Sequence, residues 1–170
     1  MSMADPVPAP VAAEGEVLRD GFRAAMRRLA STVAVVTCRR DGEWAGMAAT
    51  SVTSLSMDPP SILVCVNRGA SIRGAIRQGS PFTVNLLDRD HAPVSMAFGG
   101  AKTGAERFGV GSWQVGEAGV PWLEDGVAAI DCVVDGEIEY GTHSIIIGLV
   151  RGARVSGEAT PLIYLNGQYQ

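Results

Sequence analysis

The sequence predicts a mainly β fold with flanking α-helices: an antiparallel sheet closed into a small barrel, the helices packed outside it. Three observations carry this reading. β-branched and apolar runs of strand length outnumber amphipathic helical runs, and the links between them are hairpin-type turns rather than helical crossovers. A length of 170 residues with 46% hydrophobic side chains also fits one domain with a core of its own.

Residues 1–18 predict a flexible tail, since Pro6, Pro8 and Pro10 alternate with small residues, and a single domain is expected over 19–170. Asp20 is the expected N-cap of a helix in which Phe22, Met26 and Leu29 share a face, ending near Ala30. Thr32 to Cys38, "TVAVVTC", reads as the first strand. Asp41-Gly42 is a hairpin signal, and a second strand runs from about Trp44 to Pro59-Pro60. Ser61 to Asn67 forms a third strand. Ser71 then caps a short helix carrying Ile72 and Ile76, with Gly79 as its stop. Phe82 to Leu87 is a fourth strand. Asp88 caps a helical stretch through Phe98, and Ala101 to Phe108 reads as ambiguous, with room for one helical turn. Val127 to Glu139 and Ser144 to Val155 read as two long strands meeting near Gly141-Thr142, and Pro161 to Leu165 as a short last one.

Charge and cysteine usage exclude several classes. Fourteen basic against 18 acidic side chains give a net charge of −4, which leaves no broad basic face for nucleic acid. No apolar run approaches the ~20 residues of a membrane helix, and no basic segment opens the chain as in a secretory signal. Cys38, Cys65 and Cys132 are too few and too scattered for a disulfide framework or a zinc site. These features predict a cytoplasmic protein with reduced thiols that binds neither membrane nor nucleic acid. The run from Glu117 to Glu139 holds seven acids and no base, and reads as a solvated face or a partner surface.

Three segments carry candidate chemistry. In "GMAATSVTSLSMDPP", Gly46, Ala48 and Ala49 lead into the hydroxyls of Thr50, Ser51, Thr53, Ser54 and Ser56. Such a stretch either cradles a flat polar ligand against its backbone or forms a polar edge strand. In "NRGASIRG", Ser71 opens a helix after Asn67 and Gly69, with Arg68 and Arg73 nearby. That is an anion site or an ordinary serine cap. His143, in "YGTHSIIIG", sits where hairpin loops would rim a pocket, whereas His91 reads as a capping or surface residue. Neither GxGxxG nor GxxxxGK occurs, and no nucleophile elbow, kinase set or zinc motif is present.

Five blocks taken together, "GMAATSVTSLSMDPPSILVCVNRGASI", "FTVNLL", "RFGVGSW", "GTHSIIIGLV" and "PLIYLNGQY", resemble the short-chain flavin reductases, the reductase components of two-component flavin monooxygenases. The similarity spans roughly Asp20 to Tyr169. It implies a homodimeric split β-barrel of Greek-key type that binds FMN or FAD, with NADH or NADPH as co-substrate. By similarity, Thr50, Ser51, Val52, Thr53 and Ser54 line the isoalloxazine and ribityl chain. Asn67, Ala70, Ser71 and Ile72 approach the ribityl and phosphate portion, and Phe82 and Asn85 close the pocket. Lys102 and Tyr169 join the flavin-binding positions, and His143 sits where the nicotinamide arrives. Gly69 stands where a serine is common, and Thr142 where an aspartate is common.

The implied activity is hydride transfer from NAD(P)H to flavin, with reduced flavin released to an oxygenase partner. Such chemistry belongs to the cofactor and asks the protein for positioning and hydrogen-bond donors rather than a nucleophile. Two alternatives are a flavin-containing reductase of another acceptor, such as a ferric chelate or a corrin, and a non-enzymatic flavin-binding module.

Overall fold

A computed structural model describes residues 12–170. The chain begins with α1 (Ala12–Met26) and continues through β1 (Ser31–Thr32), β2 (Ala34–Arg40), β3 (Glu43–Ala49), β4 (Val52–Met57), β5 (Pro60–Asn67) and β6 (Pro81–Leu86). After α2 (Ala92–Met96) come β7 (Trp113–Val115), β8 (Pro121–Leu123), β9 (Ala128–Tyr140), β10 (His143–Val155), β11 (Ile163–Leu165) and β12 (Gln168–Tyr169).

Seven strands form one sheet in the order β3-β2-β6-β9-β10-β5-β4, with every neighbouring pair antiparallel. The outermost strands, β3 and β4, are consecutive in the chain and separated only by Thr50 and Ser51. Laid flat, six inter-strand steps of about 4.8 Å would hold them about 29 Å apart. Two linking residues cannot span that distance. The sheet therefore curls until the joined strand ends meet, although β3 and β4 are not paired with each other.

The inside of the curl is apolar. Val36, Val64, Val66, Phe82, Val134 and Ile146 are each at most 1% exposed there. Gly148 makes this packing possible, because a Cβ at that position would lie 2.5 Å from Phe82 Cζ. A second cluster, including Val33, Val35, Leu87, Phe98 and Leu123, covers the other face of β2. Burial on both faces explains the unbroken apolar run that marks this strand in the sequence.

Several elements differ from expectation. Residues 1–11, which hold the three early prolines, lie outside the described residues. The first helix starts at Ala12 rather than at Asp20, which sits inside it and pairs with Arg23 at 2.9 Å. Ala12, Ala13, Glu14, Glu16, Leu18 and Arg19 are good helix formers and no proline interrupts them, so the helix extends ahead of the apparent cap. The expected second strand is two strands broken at Thr50–Ser51. Residues 71–76 form successive turns, not a helix. Strands β7, β8 and β12 have only two or three residues and show no readable period. The β11–β12 hairpin turns on Asn166 and Gly167, both at positive φ.

Candidate functional site

The hydroxyl-rich stretch lies open. Thr50, Ser51, Thr53 and Ser54 are exposed, and Val52 is half-buried against the core. A cleft of about 460 Å³ runs between Thr50, Thr53 and Ser54 on one side and Leu29 to Thr32 on the other. The small residues ahead of it have a different purpose. Gly46 is buried, and a Cβ there would meet Phe98 Cε1 at 2.7 Å. Its smallness admits a core phenylalanine, so the ligand-cradle reading applies from Thr50 onward and not from Gly46.

Beyond β5 the chain turns sharply. Asn67 Oδ1 accepts the Gly69 N–H at 2.8 Å, which fixes the bend. Ser71 is exposed, and its carbonyl accepts Arg40 Nη1 at 2.8 Å. Its Oγ accepts Arg107 Nη1 at 3.3 Å. Arg107 also donates to the carbonyls of Gly46 at 2.7 Å and Lys102 at 2.9 Å. Among the described residues it has no carboxylate partner, so a positive charge stands uncompensated beside a hydroxyl. Such a pair suits a phosphate. The two arginines singled out in the sequence are occupied instead: Arg68 approaches Glu139 at 3.8 Å, and Arg73 is bonded to Glu137 and Glu139. With no helix at Ser71, positive charge at this bend comes from the Arg40 and Arg107 side chains rather than from a helix dipole.

His143 opens β10 and is in register with Asn67 of β5 on one side and Tyr140 of β9 on the other. The three form one row across adjacent strands. Gly141, at φ +55°, allows the two-residue turn that sets Tyr140 opposite His143. His143 Nδ1 and Thr142 Oγ1 share a hydrogen bond of 2.9 Å, so an uncharged hydroxyl orients the ring. Tyr140 is 80% exposed. The Ser51 carbonyl accepts the N–H of Cys65, two residues from Asn67 on the same strand. Two residues of strand cover about 7 Å, so the hydroxyl stretch and the His143 row are close neighbours.

Other expected residues lie elsewhere. Ile72 is fully buried in the core, leaving only its main chain at the bend, and Ala70 packs half-buried beside it. Phe82, 1% exposed, fills the barrel interior. Asn85, 0% exposed, donates to the Val35 carbonyl at 3.0 Å and to Thr37 Oγ1 at 3.2 Å, and accepts the Leu123 N–H at 2.8 Å. Its polar atoms are satisfied inside the protein, while Phe82 also borders a cavity of about 370 Å³ with Pro81, Thr83, Asp131 and Arg154. Tyr169 bonds Ser95 through its hydroxyl at 2.9 Å and packs on Tyr164, within the second cluster. Lys102 is exposed and joins the bend through its carbonyl contact with Arg107.

Two residues escaped the sequence reading. Arg107 is 36 positions from Ser71, and no local pattern links them. Tyr140 had a signal, its place just before the tight turn that returns the chain to His143.

The remaining reactive groups are structural. His91 completes a capping box, accepting the Asp88 N–H on Nδ1 at 3.2 Å, while its Nε2 lies 3.3 Å from Asp125. Burial raises the Cys38 thiol pKa to about 11 and that of Cys132 to about 12, which removes both as nucleophiles. Among the described residues no cluster of three metal-ligating side chains occurs, and no helix is long and apolar enough to cross a membrane. The acidic run is only partly solvated, since Asp131 pairs with Arg154 at 2.5 Å, besides the Arg73 and His91 contacts.

Residues 26–170 match the family described as flavin reductase like domain. The chain is 41% identical over 156 residues to the reductase component of an FADH(2)-dependent resorcinol hydroxylase from Rhizobium sp., covering 91% of this chain and 87% of that protein. It is 38% identical to the FMN reductase (NADH) RutF of Agrobacterium fabrum, covering 88% of this chain and 86% of that one. Among solved structures, the Streptomyces globisporus NADH:FAD oxidoreductase SgcE6, in complex with NAD and FAD fragments, superposes with a TM-score of 0.82 at 27% identity, covering 89% and 91% of the two chains. BorF, the flavin reductase component of a bacterial two-component tryptophan halogenase, gives 0.82 at 29% identity, covering 89% and 96%.

Proposed function

The chain belongs to the flavin reductase-like family, and on that premise we propose that it is an NAD(P)H-dependent flavin reductase that supplies reduced flavin to a partner monooxygenase. Residues 19–170 act as its single catalytic domain.

The residues present suit FMN or FAD. An open hydroxyl-bearing strand offers donors to a ring edge and a ribityl chain, and the Arg107–Ser71 pair offers a cation and a hydroxyl to a phosphate. Flavin, when bound, supplies the hydride-accepting chemistry. The protein's part is to hold and to exclude. Ser51, Thr53, Ser54 and the main chain around them orient the ring; Ser71, Arg107 and Lys102 fix the phosphate end. His143, steered by Thr142, and the exposed ring of Tyr140 flank the place for the nicotinamide. Neither a nucleophile nor a buried acid is required. The observation that carries the reading is the convergence of an unpaired guanidinium, the hydroxyl strand and the His143 row.

The same face supports a second copy. Leu63, Cys65, Ile145 and Ile147 are only half-buried on the outside of β5 and β10, and Ile138 and Tyr140 extend that surface. A homodimer would cover them, and sedimentation would report its mass. The three unbridged cysteines support a cytoplasmic setting.

The test is spectroscopic. With FMN added, anaerobic NADH should bleach the visible flavin band, and steady-state NADH oxidation should rise well above buffer. FMN bound without NADH turnover would leave only a flavin-binding module. Turnover of ferric chelate at trace flavin would redirect the acceptor.

A further inference from the structure

Arg73 is not used by any step above, yet it is the most heavily bonded side chain near the site. Only 19% of it is exposed. It leaves the chain just after the Asn67–Ser71 bend and crosses to the β9–β10 hairpin. There Nε donates to Ser144 Oγ at 3.0 Å, and Nη2 reaches Glu137 and, at 3.4 Å, Glu139. Nη1 turns back to the carbonyl of Ile76 at 3.4 Å. Ser144 is the residue after His143, and Glu139 precedes Tyr140. Two further ties run alongside: Arg68 N–H donates to the Thr142 carbonyl at 2.9 Å, and the Arg68 guanidinium approaches Glu139 at 3.8 Å.

The bend that carries Ser71 and the hairpin tip that carries His143 are thus bound on both sides of a shared seam. A planar fork of five N–H donors holds a hydroxyl and two carboxylates in one fixed geometry, whereas an ammonium is a point charge with three rotatable donors. These ties give a ligand on the first segment a direct path by which to act on the second.

We infer that Arg73 is a positioning residue that couples the two halves of the site, so that pyridine nucleotide binds more tightly once flavin is seated. This rests on the flavin reductase reading proposed above. The experiment is calorimetric titration of the full chain with NAD⁺, which has no hydride to deliver, with and without saturating FMN. The wild-type chain should bind NAD⁺ at least about fivefold more tightly with FMN present, the lower end of usual coupling between sites. Arg73→Ala should reduce that ratio below about twofold while still binding FMN, and Arg73→Lys should recover only part of it. Should Arg73→Ala not fold, Glu137→Gln combined with Ser144→Ala removes two of the same contacts and should lower the ratio likewise. NAD⁺ affinity indifferent to FMN in the wild type, or an undiminished ratio in the variants, overturns the inference while leaving the reductase reading standing. Absence of FMN binding to the wild type overturns the reading itself, and this inference with it.

Discussion

Replacing Arg107 by alanine isolates the phosphate assignment from everything else at the site. The guanidinium is half-buried, lies 3.3 Å from Ser71 Oγ and has no carboxylate partner among the described residues. A hydrogen bond to a charged group contributes about 1.5–3 kcal/mol. Coulomb attraction between unit charges about 4 Å apart runs from about 1 kcal/mol in water to about 4 kcal/mol near a protein surface, which brackets the same figure. Since about 1.4 kcal/mol is a factor of ten, Arg107→Ala should weaken FMN binding roughly 10- to 150-fold. Arg107 also braces the carbonyls of Gly46 and Lys102, so loss of affinity alone does not prove a phosphate contact. Riboflavin, which has the ring and ribityl chain but no phosphate, supplies the control. Flavin fluorescence titrations should show the FMN loss in full and little change for riboflavin. Equal losses for both ligands, or an unchanged FMN affinity, would refute the assignment. Ser71→Asp should act in the same direction by offering Arg107 a carboxylate of its own.

His143→Ala should lower kcat/KM for NADH while leaving FMN affinity within about twofold, and stopped-flow reduction of bound flavin would separate the two effects; the reverse pattern would remove His143 from the nicotinamide side. Gly148→Ala should cost about 1–3 kcal/mol of stability, because its Cβ would fall 2.5 Å from Phe82 Cζ inside a closed core; urea unfolding measures this, and a wild-type midpoint would contradict the packing. At pH 8 a disulfide-exchange reagent should leave Cys38 and Cys132 unlabelled in the folded protein, since burial raises their pKa values to about 11 and about 12 and leaves almost no thiolate; both should react after unfolding, and labelling of either in the folded state would contradict their burial.

The long elements were legible because their pattern persists. Strands β9 and β10 run for 13 residues each on either side of a glycine turn, so their pairing, and the place of His143 at its end, followed from the sequence. The start of α1 did not, since Asp20 has the chemistry of a cap while the residues before it favour helix as strongly as those after. Asn85 was named by resemblance alone, and the three internal partners of its amide are set by the folded chain rather than by any local pattern. Gly46 misled because a position without a side chain admits a neighbouring ring as readily as a ligand. Arg107 opens the block "RFGVGSW", but nothing in that block pairs it with Ser71, since their meeting is made by tertiary structure alone.

The interruption between β3 and β4 has a consequence for how this scaffold can change. Interior strands spend their main-chain groups on neighbours to left and right, so altering them risks the whole ladder. The two rim strands keep one row of amides and carbonyls uncommitted, and the residues joining them sit where those rows converge. Substitutions along that rim can therefore retune what the protein grips without unpicking a single inter-strand bond, which gives recognition a freedom to drift that the barrel wall lacks.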